Sequence, residues 1–590
     1  MKKFASLWTL SLILCFILVS FPRINTVKAS ATIYIRADGS IYPPEAPILT
    51  VDYVTYVFTN NINDSIVVER DNIVIDGAGY TIQGGEIVDS LTQAGISLYT
   101  RSNVTIQNMT IKSFYYAITL SVSSGNVISG NNITGNKHYT ITLSDSSSNV
   151  ISGNNITANN LRGIALVESQ DNVISGNNIT ANGCHGITLS DSSGNIISGN
   201  NIAANIGDGI ALVDSSNNII SENSLAENKY CGIRLYCSLS NTLRNNSMTD
   251  NYCNFKVSDG FVNDVDASNT VDGKPVYYWI NMQDLTVPLD AGFVALVNCT
   301  RITVQNLSVT HNNPGILLAF TTNSAIIKND VIINDYGIAL VESQDNVISG
   351  NNITANSLCG IGLWDSQGNT ISGNNMINNR RGVLVSTSSS NSFYHNNFIR
   401  NSKDMYISTI GYPNFLDDGV EGNFWSDYTG VDANHDGIGD SSFLIDGNNT
   451  DRYPLMGIFS SFNTSLSYHV NVVSNSTIED FEYFDSNKTI KMHVSNLTAN
   501  QTYGFCRICI SYTLMNVNNI SVIIDDGMVT VLYHNYTLYD NGTHRWIYFS
   551  YGHSRLEILI VPEFPSIIIL LIFMIATIQA VIVCKRKGST

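Results

Sequence analysis

A short internal repeat constrains this chain more than any other feature. Between residues 126 and 251 an Asn recurs every 23 residues, and each opens a variant of the sequence NVISGNNITAN. The opening residues are Asn126, Asn149, Asn172, Asn195, Asn218 and Asn241. A fixed period this short is typical of identical units stacked on one another, each in contact only with its neighbours, rather than of one packed globule.

The apolar residues of each unit follow a strand period. In the unit that opens at Asn172, the positions that are apolar throughout the array hold Ile174, Ile179, Ile187 and Leu189. Apolar residues alternate within segments such as GIALV, and no stretch repeats at the helical period of 3.6. We therefore expect each unit to be one coil of short strands and turns, with these positions facing inward.

The Asn residues form columns of their own. Positions zero, five and ten of the unit are Asn in all six copies, for example Asn172, Asn177 and Asn182. Stacked strands place equivalent residues about 4.8 Å apart, so like amides can hydrogen-bond along the stack. Asn also tolerates the left-handed backbone conformation that sharp corners need.

These units resemble the right-handed parallel β-helix. The resemblance is to the repeats shared by carbohydrate-binding and sugar-hydrolysing proteins and by the NosD-type copper-site accessory family. A leucine-rich horseshoe is the alternative, but it needs a Leu-rich repeat with a helical side. The resemblance implies a right-handed parallel β-helix of about 23-residue coils. Alternating strands beyond about residue 459 and an uncharged run at 566–584 add a small β-sandwich and one C-terminal transmembrane helix to this all-β chain.

The two ends of the chain predict export and anchoring. Lys2 and Lys3 precede an apolar run, as in a secretory signal peptide. Residues 566–584 carry no charge and are followed by a basic tail, as in a membrane-spanning helix with its tail inside. VPEFPS before that segment resembles the tails that archaeal sortases process, so removal and retention of the anchor both stay open.

Internal duplication and breaks in the period predict the layout. GIALVESQDNVISGNNITAN occurs at 163–182 and again, letter for letter, at 337–356. The insert between the arrays resembles that of archaeal NosD-type proteins and forms either coils continuous with the stack or a lateral hairpin. The predicted segments are a signal peptide (1–29), a cap with first coils (30–102), array one (103–251), the insert (252–299), array two (300–400), closing coils with an acidic loop (401–459), a β-sandwich (460–560), a linker (561–565), a transmembrane helix (566–584) and a basic cytoplasmic tail (585–590).

Charge limits the partners. The chain has 30 Lys plus Arg against 48 Asp plus Glu; removing the seven basic residues of the two terminal segments leaves 23 and an excess of about 25 negative charges outside the cell. Nucleic acid is a poor partner for such a surface. Cations, polysaccharides and surface glycoproteins suit it better.

An acidic column is the first candidate site. Position nineteen of the unit is acidic in four units of array one and at the matching place of two coils of array two, and each of these acids is followed by Ser. Stacked carboxylates repel one another unless water, salt or a bound cation intervenes. The column is therefore either a solvated turn or a stripe that binds cations or sugars, with Trp364 beside it; its members are Asp145, Glu168, Asp191, Asp214, Glu342 and Asp365.

The segment VDANHDGIGD is the second candidate site. Its oxygen-bearing residues and its sixth-place glycine follow the order of a Ca²⁺ loop, although the twelfth place is Phe443 rather than Glu. The alternative is an Asp/Asn/Gly turn without metal. The predicted ligands are Asp432, Asn434, Asp436, the carbonyl of Ile438, Asp440 and Asp446.

Other chemistry is less well supported. Copper needs clustered His, Cys or Met, and only Cys184 and His185 are adjacent, which argues against it. No basic residue falls beside two acids in a recognisable pattern, so the catalytic residues are unknown. Eight Asn sites in the C-terminal part carry the glycosylation signal: Asn463, Asn475, Asn487, Asn496, Asn500, Asn519, Asn535 and Asn541.

The sequence thus favours an anchored archaeal cell-surface protein that binds polysaccharide or surface glycoproteins. A polysaccharide lyase or glycoside hydrolase is the first alternative, and a copper-site accessory protein is the second.

Overall fold

The computed structural model describes residues 32–85, 94–409, 411–517, 519–526, 530–533, 536–552 and 555–562. The predicted signal peptide and transmembrane helix lie outside these residues. The chain divides into two compact units, residues 1–219 and 220–590, which are treated separately below. Within the described residues all regular structure is β.

The first unit is a three-sided solenoid. We name its sides after the repeat: the VIS, NIT and IALV faces. The VIS strands are Ile48–Leu49, Thr55–Phe58, Ile73–Asp76, Val104–Gln107, Val127–Ser129, Val150–Ser152, Val173–Ser175 and Ile196–Ser198. The NIT strands are Thr81–Gln83, Thr110–Lys112, Asn132–Thr134, Asn155–Thr157, Asn178–Thr180 and Asn201–Ala203. The IALV strands are Ile33–Ile35, Ile41–Tyr42, Ile66–Val68, Ala94–Tyr99, Tyr116–Ser121, Ile141–Ser144, Ile164–Val167, Ile187–Ser190 and Ile210–Val213. Strand Ile219–Ser221 spans the boundary between the units.

Successive coils pair in parallel with the predicted register. Ile164 pairs with Ile187, and Leu166 with Leu189, so each inward residue stacks on its own copy. Ile174, Ile179, Ile187 and Leu189 are fully buried. Each such side chain contributes about 1.5–3 kcal/mol by leaving water, so the four together stabilise every coil. This confirms the predicted inward positions.

Buried Asn ladders hold the corners. The Nδ2 atom of Asn154 donates to Oδ1 of Asn177, 3.0 Å away in the next coil, and also to the carbonyl of Ile128. Asn149 with Asn172, and Asn159 with Asn182, repeat this pattern at the other two corners. The predicted ladders are confirmed, and the amides satisfy corner carbonyls that the sheets leave unpaired.

The second unit opens with the last coils of array one and then changes faces. Its first strands are Ser224–Ala226, Cys231–Tyr236, Thr242–Arg244, Ser247–Thr249, Cys253–Ser258, Asp264–Val265 and Thr270–Val271. A tight hairpin at Asp272 and Gly273, both with positive φ, joins Thr270–Val271 to the antiparallel strand Lys274–Ile280. That strand pairs in parallel with Phe293–Val297. The sheet of NIT strands therefore continues as the IALV sheet of array two, so the insert holds one further coil and a hairpin inside the stack.

Array two repeats the three faces. Its IALV strands are Phe293–Val297, Ile316–Ala319, Tyr336–Val341, Cys359–Trp364, Arg381–Ser386 and Lys403–Ile407. Its VIS strands are Thr303–Gln305, Ala325–Ile327, Val347–Ser349, Thr370–Ser372 and Ser392–Tyr394. Its NIT strands are Ser308–Thr310, Asp330–Ile332, Asn352–Thr354, Asn375–Ile377, Asn397–Ile399 and Phe424–Trp425, and a hairpin of Phe443–Asp446 and Asn449–Asp451 follows.

All three ladders of array two end on a carboxylate. Asn401 donates to Asp404 at 2.9 Å, and Asn449 donates to Asp446 at 2.9 Å. The backbone N–H of Asn423 donates to Asp451 at 2.8 Å. A carboxylate only accepts hydrogen bonds, so it suits the last place of a row of donors.

Residues 458–562 form two five-stranded antiparallel sheets. The first sheet contains, in spatial order, Ile458–Asn463, His469–Ser474, Tyr503–Ser511, His544–Gly552 and Thr537–Asp540. The second contains Ser476–Phe484, Thr489–Asn496, Leu556–Pro562, Ile520–Asp525 and Thr530–Tyr533. One core draws on both sheets, with Val472 and Ile508 from the first and Ile490 and Ile558 from the second. This arrangement is a β-sandwich. None of the described residues forms a helix long and apolar enough to cross a bilayer.

Candidate functional site

The acidic column is exposed and sits at turns. All six residues have φ between 47° and 50°, and each side chain is exposed. In the first unit Asp145, Glu168 and Asp191 border one open depression of about 660 Å³. The Ser that follows each acid is buried, and it forms a ladder in which Ser146 N–H donates to Ser169 Oγ at 3.0 Å. The Ser column is thus structural, while the carboxylates face solvent.

One side of the Trp364 ring is shielded from solvent. Its ring packs edge-on against Tyr336, with centroids 5.3 Å apart, and covers Gly362. It is half-buried, so only part of the ring is free to contact a ligand beside Asp365.

The acidic loop is shaped by its own backbone. The carboxylate of Asp432 accepts the N–H groups of Asp436 at 3.0 Å and Gly437 at 2.9 Å. Asp436 accepts from Ile438 at 2.8 Å, and Asp440 accepts from Ala433 at 2.7 Å. These bonds close the turn, and the φ of 85° at Gly437 explains the glycine.

The six predicted Ca²⁺ ligands do not converge. Asp446 caps a ladder instead, accepting from Asn449, and the carbonyl of Asp436 accepts from Arg507 at 2.7 Å. Across the described residues, no group of three or more His, Cys, Asp or Glu side chains has the geometry of a metal site. In this conformation the donor set does not enclose an ion, and Ca²⁺ binding stays a prediction.

The acidic loop forms one wall of a cleft against the sandwich. The cleft, which we call the junction cleft, has a volume of about 600 Å³. Asn434, Asp436 and Asp440 contribute one wall. Tyr453 and Tyr539 are among the residues of the other sides. Polar and aromatic groups from both parts of the second unit therefore meet in one concave space, of a size typical for small-molecule sites.

The aromatic residues of the junction cleft are accessible. Tyr539 is 59% exposed and leans against Trp546, with ring centroids 5.4 Å apart. Tyr453 is half-buried beneath the guanidinium of Arg452, which lies 5.5 Å from its ring centroid. Arg452 is held by Asp417, its Nε 2.9 Å from the carboxylate. Both rings keep a surface that a ligand can cover.

A buried ion network fixes the floor. Glu421 accepts from Arg507 Nε at 2.8 Å and from Trp546 Nε1 at 3.0 Å, and it contacts His395 Nε2 at 2.9 Å. Burial alone would raise the pKa of Glu421, but the hydrogen bond with His395 and the charge of Arg507 lower that pKa to about 2. The carboxylate is fully paired, so we assign it to structure.

Cys184 and His185 contact each other and Asp208, and no metal-binding group of side chains is found around them among the described residues. The imidazole lowers the pKa of the Cys184 thiol to about 7, and Nδ1 of His185 accepts the N–H of Asp208 at 2.8 Å. The other candidate His residues lie elsewhere: His138 is stacked on Tyr115, His311 is 3.4 Å from Asp272, and His395 is bound to Glu421.

The predicted glycosylation sites are mostly on the surface. Asn475 is half-buried and its Oδ1 accepts the N–H of Phe505 at 3.0 Å, so it is tied to the sandwich. Asn535 lies outside the described residues. The remaining six are exposed: Asn463, Asn487, Asn496, Asn500, Asn519 and Asn541.

Two family models match the solenoid. One is described as a right handed beta helix region and matches residues 50–202 and 167–274. The solenoid is a right-handed parallel β-helix. The other model is described as periplasmic copper-binding protein (NosD), and it matches residues 256–430 of the β-helix and its closing coils.

Several solved structures resemble the chain at low identity. The alginate epimerase AlgG is 13% identical, with 58% of this chain and 84% of AlgG covered at a TM-score of 0.31. The A-module of the Azotobacter vinelandii mannuronan C-5 epimerase AlgE4 is 13% identical, covering 65% and 90% at 0.29. A tailspike protein of E. coli bacteriophage HK620, solved with a pentasaccharide, is 10% identical, covering 85% and 87% at 0.33. Such scores are too low to transfer a substrate or an activity. No curated protein matches the chain.

Proposed function

We propose that this protein binds polysaccharide outside the cell, with the junction cleft as the binding site. The observation that carries the proposal is the meeting of Tyr539 and Tyr453 with Asn434, Asp436 and Asp440 around one cleft. The export signal and the membrane anchor predicted from the sequence belong to the same proposal.

The cleft suits the chemistry of a sugar. A pyranose ring has apolar C–H groups on its faces and hydroxyls around its edge. Tyr rings offer an apolar surface with a polar hydroxyl at one end. Carboxylate oxygens accept hydrogen bonds from sugar hydroxyls, and amide groups both donate and accept them. The excess of acids over bases in the chain, 48 to 30, favours neutral over acidic polymers.

The test is binding by the purified protein on a glycan array, followed by calorimetry with the polysaccharide that scores highest. Tyr539→Ala and Tyr453→Ala should each weaken binding about tenfold, because one aromatic contact is worth about 1 kcal/mol or somewhat more. Tyr406→Ala is the matched control, since Tyr406 is 42% exposed beneath Arg381 but lies outside the cleft. Unchanged affinity in both cleft variants, or an equal loss in the control, would contradict the proposal.

A reducing-sugar assay with the same polysaccharide separates binding from cleavage. The two cleft carboxylates, Asp436 and Asp440, are both held by backbone N–H groups of the loop. We therefore give them a shaping and contact role, and we expect no release of reducing ends.

Ca²⁺ at the acidic loop is a separate proposal that rests on the residue order at 432–440. A bound ion would stabilise the folded state by mass action. Thermal unfolding with Ca²⁺ and with chelator, in the wild type and in the double variant Asp432→Ala with Asp436→Ala, tests it. A Ca²⁺-dependent shift that survives in the double variant would place the ion elsewhere, and no shift in the wild type would exclude it.

A further inference from the structure

Two buried cysteines lie directly opposite each other at the end of array one. Cys231 begins the strand Cys231–Tyr236, Cys253 begins the strand Cys253–Ser258, and the two are register partners. Both are among the buried residues of the chain, and their Sγ atoms are in direct contact.

The strand geometry suits a covalent link. Residues directly paired on adjacent parallel strands have Cα atoms about 4.8 Å apart, which is inside the range of about 4.4–6.8 Å found for disulfides. Cys231 alternates with the buried Ile233, and Cys253 with the buried Phe255, so both side chains point to the same interior. Their Sγ atoms are 2.6 Å apart, so the two side chains need only a small shift to reach bonding distance.

We propose that Cys231 and Cys253 form a disulfide bond that clamps the end of array one to the first strand of the insert. The bond forms by thiol–disulfide exchange: the thiolate of one cysteine attacks a disulfide-bearing oxidant, and the second thiolate then displaces the oxidant's thiol. Two thiols of the protein lose two protons and two electrons, and one disulfide of the oxidant is reduced to two thiols.

The burial of the thiols determines when the disulfide can form. Desolvation raises the pKa of the Cys253 thiol well above its ordinary value, so the folded protein holds little of the reactive thiolate. The bond therefore forms while the coils assemble, in an oxidising compartment. The clamp lies beside the hairpin at Asp272 and Gly273, where the stack changes faces and a coil has less regular neighbours than in mid-array.

The test compares the full-length protein made with and without an oxidising compartment. Alkylation in denaturant without reductant, followed by peptide mass spectrometry, should find Cys231 and Cys253 joined and the remaining cysteines alkylated in the exported protein. Alkylation of both residues in the exported protein would overturn the proposal.

Unfolding gives the second measurement. Cys231→Ala and Cys253→Ala should each lower the unfolding temperature of the exported protein by several degrees, and reductant should remove most of the difference from the wild type. Cys359→Ala is the matched control: Cys359 is fully buried at the first place of the same kind of strand, but its register partner is Tyr336. Its shift should be the same with and without reductant. Reductant-independent shifts in all three variants would also overturn the proposal.

Discussion

Single Asn residues decide whether a coil can close. Asn177 accepts from the backbone N–H of Asn154 and donates to the carbonyl of Ile151 at 2.9 Å, while it is almost completely buried. Its neighbour Asn178 is only half-buried, and it makes two side-chain amide contacts at the surface, donating to Asn155 and accepting from Asn201, both at 2.7 Å. Two adjacent residues of the same type thus have different roles.

We predict that Asn177→Ala costs roughly 3 kcal/mol or more of unfolding free energy, because it leaves at least two buried polar groups without partners. Asn178→Ala should stay within about 0.5 kcal/mol of wild type, as expected for a surface change. Denaturant unfolding measures both. Similar costs for the two variants would show that the ladders contribute little.

Several features at the residue scale could be predicted from the sequence. The inward Ile and Leu columns and the Asn ladders follow from a period that places like residues on like. The residues that end the ladders could not be predicted from the period. Asp404 and Asp451 lie where the 23-residue period has faded, and only the folded chain brings them to the last amides of the ladders. The hydrogen bond that Asp446 accepts from Asn449 could not be predicted for the same reason, and its place among the Ca²⁺ ligands stays a prediction.

Between elements, the contact of closing coils and sandwich depends on Glu421. Its carboxylate joins His395 of the solenoid to Arg507 and Trp546 of the sandwich. Sequence spacing gave no sign of this, since Glu421 and Trp546 are 125 residues apart. The aromatic residues of the junction cleft were missed for the same reason, since Tyr453 and Tyr539 are far apart in the sequence.

The depressed pKa of Glu421 makes a pH prediction. Its folded-state pKa of about 2 lies below the ordinary glutamate value of 4.5, so its contribution to stability is complete above about pH 4.5 and is lost as the pH falls towards 2. Glu421→Gln should lower the unfolding free energy by about 3 kcal/mol at neutral pH, and the difference should shrink towards zero near pH 2. A difference that does not change with pH would mean that the carboxylate is not charged in the folded protein.

For the whole molecule, the repeat makes a coil a removable unit. In the first unit Asn149 bonds Asn172, and Asn172 bonds Asn195, through the same two atoms each time. Stability in such a stack is close to a sum of coil and interface terms. The number of coils can therefore change without preventing the remaining coils from folding, which a globular core does not allow.

We predict that deleting residues 172–194, one 23-residue period, leaves a folded protein with a lowered unfolding temperature. Deleting only 172–183 should prevent the following coils from stacking, because it turns every later inward residue onto another face. Circular dichroism and thermal unfolding distinguish the two. Equal folding of both deletions would contradict the coil register.

The ladders also have a direction. In the buried corner ladders of array two, each amide turns its oxygen to the preceding coil and its nitrogen to the following one, as at Asn346, which accepts from Ser324 N–H and donates to Asn369. Aligned amide dipoles add, as they do in an α-helix, so each ladder acquires a partial positive charge at its C-terminal end. Asp404, Asp446 and Asp451 lie at that end. Each ladder of array two thus has the electrostatic polarity of a helix although no helix is described there, and the three carboxylates neutralise the end that would otherwise expose unpaired donors.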